Sequence, residues 1–159
     1  MRKLHLQYPR VIRRKPGLAQ PGGRVFSIVG VGASAGGLEA FMELLKHLPA
    51  DSGLGFVLVQ HLDPTHQSAL TQLLGRVTAM PVSEVANGQA VLPNHVYVIP
   101  PNAALVIQQG VLMIQPRQPT GGAQRSIDHF FESLAKDQHE RAIGVVLSGT
   151  ATEDRKSVV

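Results

Sequence analysis

The segment from Val25 to Gly37 constrains this chain more than any other. It reads V-F-S-I-V-G-V-G-A-S-A-G-G, a short run of branched apolar residues that passes directly into glycines and other small residues. A run without polar alternation is expected of a strand covered on both faces, as in a parallel sheet. Leu38, Phe41, Leu44, Leu45 and Leu48 then recur at helical spacing until Pro49 ends the pattern, so a strand, a tight turn and an amphipathic helix follow one another. The same order returns in Gly55–Gln60, a second apolar run, and in Ala69, Leu70, Leu73, Leu74 and Val77, a second helix introduced at Asp63-Pro64.

Downstream, Pro81–Val85 reads as a brief third strand, and Val96–Ile99, Ala104–Gln108 and Val111–Gln115 read as an antiparallel excursion turning at Gln109-Gly110. Pro116–Gln124 has loop composition. Ser126 then suits the N-cap of a helix that buries Ile127, Phe130, Phe131 and Leu134, and Ile143–Leu147 makes a final strand. The expected fold is α/β: a doubly wound, mostly parallel sheet with helices on both faces and an antiparallel hairpin excursion.

Charge and composition narrow the function. Fifteen Lys and Arg against eleven Asp and Glu give +4 overall, which by itself invites a nucleic-acid reading. Seven of the basic residues and no acid lie in residues 1–24, leaving eight basic and eleven acidic residues in 25–159, a balance of −3. The leader also carries Pro9, Pro16, Pro21, Gly17, Gly22 and Gly23 and has no apolar run fit for a signal peptide or a membrane span. We read it as a disordered basic arm, and expect neither nucleic-acid binding nor a membrane span. The absence of cysteine excludes disulfides, thiolate metal sites and a cysteine nucleophile, and fits a cytoplasmic location.

In an open parallel sheet, ligands bind beyond the carboxyl ends of the strands. There, after the first strand, stands Gly32-Ala33-Ser34-Ala35-Gly36, a G-x-S-x-G sequence at a strand-to-helix junction. Three readings are open. Such a turn can expose Ser34 as a nucleophile beside the backbone N–H groups of a helix start. Gly30, Gly32 and Gly36, with Asp51 further on, can instead serve a dinucleotide. A turn of small residues with no chemical role is the third. His61 directly follows the second strand; if the first two strands are neighbours, it stands where Ser34 needs a general base. The last strand ends in S-G-T-A-T-E-D, where a carboxylate can orient the imidazole. The other histidines, His5, His47, His66, His95, His129 and His139, lack metal-ligand spacing and are expected to be solvated or structural.

Taken in order, I-V-G-V-G-A-S-A-G-G (28–37), V-Q-H-L-D-P (59–64), H-V-Y-V-I-P-P-N (95–102), S-I-D-H-F-F (126–131) and G-V-V-L-S-G (144–149) resemble the catalytic domain of the CheB-type protein-glutamate methylesterases and glutamine deamidases. The wording is most similar to the methylesterase domain that opens CheB/CheR fusion proteins. The resemblance implies hydrolysis of glutamate γ-methyl esters on chemoreceptor helices, with methanol released through an acyl-enzyme on Ser34 and with His61 as base. It implies an oxyanion hole from the backbone N–H groups of Ala35 and Thr150, no metal or nucleotide cofactor, and a CheR-type methyltransferase domain in the same full-length chain. It places Glu153 where the family carries the aspartate of its triad. A non-catalytic or inactive module of such a fusion is the alternative. The division expected is a basic arm at 1–24, a methylesterase domain at 25–152 that is incomplete at its C-terminus, and a non-native tail at 153–159. That tail can be encoded by GA followed by AGATCGGAAGAGCGTCGTG, the start of a common sequencing adapter.

Overall fold

The computed structural model describes residues 25–34, 36–60, 67–117 and 122–148. Its elements are, in order, β1 (Ile28–Ala33), α1 (Gly37–His47), β2 (Gly55–Val59), α2 (Gln67–Val77), β3 (Val82–Glu84), β4 (Gln89–Ala90), β5 (His95–Val98), β6 (Ala103–Gln108), β7 (Val111–Pro116), α3 (Gly122–Gln138) and, after a short 3₁₀ turn, β8 (Ala142–Leu147). Five strands form an all-parallel sheet in the order β3-β5-β2-β1-β8, and β4-β7-β6 form a second, antiparallel sheet.

All residues of β1 and β2 are buried, which explains why their sequences do not alternate in polarity. The alternation is instead between two cores. Val29, Val31, Ala33, Phe56, Leu58, Val96 and Val98 pack with Phe41 and Leu45 of α1 and Leu70 and Leu74 of α2. Ile28, Val57, Val59 and Tyr97 point the other way, onto Ile127, Phe130 and Leu134 of α3 and onto Leu105, Ile107 and Leu112 of the antiparallel sheet. The expected doubly wound architecture with helices on both faces is therefore the one observed.

Three local expectations are corrected. The segment expected at Val96–Ile99 is not part of the antiparallel excursion; it forms β5 (His95–Val98), which pairs parallel with both β2 and β3, and Val96, Tyr97 and Val98 are buried as an inner strand requires. The excursion gains β4 instead, two residues too short to show a period. Helix α3 begins at Gly122, so Ser126 lies inside the helix, buried, and not at its N-cap. The first strand runs on into the glycines: Gly30 and Gly32 are strand residues on the α3 face, where a Cβ would stand 2.9 Å from Leu134 Cδ2 and 2.5 Å from Ile127 Cγ2 respectively. These two glycines let α3 lie close against β1, so their spacing serves helix–sheet packing and offers no support for a dinucleotide loop. The Gln109-Gly110 turn holds as expected, with φ of 52° and 74° at its two positions, the left-handed pair that a two-residue hairpin demands.

Candidate active site

The sheet order places β1 between β2 and β8, so the chain winds away from β1 in one direction through β2 and returns to its other side with β8. A crevice opens at such a reversal, beyond the carboxyl ends of the strands. Ser34 is the first residue past β1 and is exposed there. Its backbone is held from two directions: its N–H donates to the Leu147 carbonyl at the end of β8 (3.2 Å), and its carbonyl accepts from the Gly37 N–H at the start of α1 (2.8 Å). Gly36, the N-cap of α1, makes no side-chain cap hydrogen bond, and the positive end of the helix dipole lies next to the serine.

The second glycine of the G-x-S-x-G sequence, Gly36, has an ordinary right-handed conformation (φ −83°, ψ −8°). The glycine with a steric duty is the next one. A Cβ on Gly37 would lie 2.3 Å from the Leu147 oxygen, so only glycine lets the start of α1 approach the end of β8 this closely. The close approach thus depends on the second residue of the Gly36-Gly37 pair, one position beyond the G-x-S-x-G sequence.

The β1–β2 register ends with Gly32 opposite Val59. Ser34 and His61 are therefore each two positions along the sequence from the last paired residue of neighbouring strands. His61, Ala35, Thr150 and Glu153 lie outside the described residues, as do residues 1–24, His5 and His66. Between Val59 and His61 stands Gln60, which sequence reading passed over; it is buried, and its Nε2 donates to the Ser34 carbonyl at 3.4 Å. Of the remaining histidines, His95 stacks on Tyr97 and its Nδ1 pairs with the Pro93 carbonyl (2.8 Å), while His47, His129 and His139 are exposed. Among the described residues no cluster of three His, Asp or Glu side chains is placed to hold a metal ion. Asp51 is exposed beyond the C-terminal end of α1, whereas Ser34 precedes its start.

Together these features define a parallel α/β domain with a serine presented at the reversal point of its sheet, between a strand end and a helix start. The family model for the CheB methylesterase matches residues 29–157, and the chain belongs to that family. A protein-glutamate methylesterase/protein-glutamine glutaminase of Xanthomonas oryzae pv. oryzae is 33% identical over 136 residues, which cover 83% of this chain and 38% of that protein. A protein of the same description from Pseudomonas aeruginosa is 31% identical over 83% of this chain and 39% of its own length. The chain thus spans about four-tenths of the length of the curated relatives it matches. The catalytic domain of Thermotoga maritima CheB methylesterase superposes with a TM-score of 0.67 at 25% identity, covering 80% of this chain and 70% of that one.

Proposed function

We propose that this chain is the catalytic part of a protein-glutamate methylesterase that also deamidates glutamine, acting on methylated chemoreceptor-type helices. The observation that carries the reading is the placement of Ser34: exposed at the carboxyl end of the inner strand β1, with its backbone bonded to β8 and to the start of α1. In this mechanism His61 takes the Ser34 proton as the hydroxyl oxygen attacks the ester carbonyl. The tetrahedral oxyanion is held by backbone N–H groups, those of Ala35 and Thr150 in the assignment drawn from the family. Collapse releases methanol, or ammonia from a glutamine, as His61 returns the proton, and water then hydrolyses the acyl-enzyme. Glu153, or the acid that occupies its place, orients the imidazole. No step calls for a metal or a nucleotide. Methylated receptor helices and a CheR-type methyltransferase domain in the same polypeptide are the partners we assign.

The test is methanol release from a methylated receptor fragment by the product of the complete gene. Ser34→Ala should reduce the rate by a factor of about 10³ or more, as loss of a nucleophile does, without loss of folded protein by circular dichroism. A variant that releases methanol at the native rate refutes the assignment.

A further inference from the structure

Gln60 is one of two polar side chains buried among the described residues, at 3% exposure. Its Nε2 has the long 3.4 Å bond to the Ser34 carbonyl, and its Oε1, also buried, has no hydrogen-bond partner among the described residues. The orientation of the amide follows from chemistry, since the reverse would set two acceptor oxygens against each other. A buried amide with one long bond and an orphan acceptor is a liability for folding, and an apolar side chain of the same volume would suit the site better. The contacts among the described residues therefore give no stability reason for a glutamine here.

What the side chain does touch is the peptide of Ser34. The main chain of Ser34 is tied to β8 through its N–H and to α1 through its carbonyl; the Gln60 amide, which also donates to that carbonyl, adds the third direction, the end of β2. Backbone pairing between β1 and β2 stops at Gly32 and Val59, and beyond that point the amide links the two strand ends among the described residues. Gln60 also immediately precedes His61 in the chain. We infer that Gln60 is a positioning residue for Ser34, fixing the main chain of the nucleophile against the strand end from which the base departs. The inference rests on the reading of Ser34 as nucleophile. Gln60 acts through the serine and does not itself touch the reacting atoms.

The experiment compares the native product of the complete gene with Ser34→Ala, Gln60→Met and Gln60→Glu. Methionine matches the volume and removes the donor; glutamic acid restores a donor only while its carboxyl is protonated. Four readouts are taken: kcat and KM for methanol release, the rate at which a fluorophosphonate labels Ser34, the melting temperature, and the pH profile. For Gln60→Met we expect kcat and the labelling rate to fall together by about tenfold, the scale of a small misplacement of a reacting group. KM should stay within about twofold, and the melting temperature should be unchanged or higher. For Gln60→Glu the rate relative to the native protein should rise as the pH falls, whereas that of Gln60→Met should not. A native kcat in Gln60→Met, a loss that follows a lowered melting temperature, or a Gln60→Glu variant as slow as Gln60→Met at every pH overturns the inference alone. An inactive native protein, or a fully active Ser34→Ala variant, overturns the nucleophile reading and the inference with it.

Discussion

The Leu147 carbonyl shows how finely single residues are set around Ser34. It accepts the Ser34 N–H, and it stands where a side chain on residue 37 would begin, 2.3 Å from an ideal Cβ there, with the Ala33 Cβ a further 3.0 Å contact. Backbone atoms at the end of a strand cannot rotate aside as a side chain could, so Gly37→Ala has to push α1 away from β8. We expect this substitution to lower unfolding stability by about 1–3 kcal/mol, the range for overpacking. It should also slow ester hydrolysis more than the loss of folded protein explains, because the displaced carbonyl is the one that anchors Ser34. Gly75, in α2, is the internal contrast: nothing lies within 4 Å of a Cβ built on it. Gly75→Ala should therefore raise stability by about 0.5–1 kcal/mol through helix propensity. Urea unfolding of the two variants checks both signs in one comparison.

At the scale of elements, α3 holds the antiparallel sheet by polar contacts as well as by its apolar stripe. Ser133 Oγ accepts from the Ile107 N–H at 3.1 Å, serving a strand at the edge of its sheet among the described residues, and donates to the Phe130 carbonyl (2.8 Å). One helical turn on, the Asp137 carboxylate accepts from the Gln109 N–H and from the Gly110 N–H (2.9 Å), closing the tip of the β6–β7 hairpin. Hydrogen bonds to a charged group contribute about 1.5–3 kcal/mol, so Asp137→Ala should destabilise the protein by roughly that amount. In hydrogen exchange the β6–β7 tip should lose protection while β1 and β2 keep theirs; equal loss everywhere would show that the carboxylate does not act locally. Neither contact was legible in the sequence, because a Ser and an Asp on a helix give no sign of the backbone they will meet. What was legible has a physical reason too. Strands β1 and β2 and helix α1 were visible because burial on both faces or on one stripe writes itself into residue spacing. His95–Val98 was assigned to the wrong sheet because a buried strand of four residues looks the same in either setting, and only its partners distinguish them. At the candidate site, the glycine context singles out Ser34 as a candidate, while Gln60 gives no signal because a lone amide after a strand carries no pattern.

Across the whole molecule, protection from solvent is uneven, and the serine sits where it changes. Every residue of β1 and β2 is buried, whereas in β8, the edge strand of the described sheet, Ile143 is 39% and Val146 57% exposed and only Leu147 is buried. Local opening starts in the parts with the fewest buried apolar contacts, so β8 should open more readily than the pair of strands beside it. Ser34 follows a central strand, yet its N–H is bonded to β8. Its amide should therefore exchange with the opening free energy of β8, although its sequence neighbours Val29 and Val31 pack in the core beneath α1. Native-state hydrogen exchange resolved by residue decides this: the Ser34 amide should group with β8 and fall below the amides of β2 and β5 in protection. A Ser34 amide as protected as those of β2 would mean that the edge strand is as firmly held as the centre. In the expected case anything that packs onto the exposed side of β8 tightens the bond to Ser34, so, with Ser34 as the proposed nucleophile, ligands or segments covering that strand should raise both Ser34 protection and the rate of ester hydrolysis together.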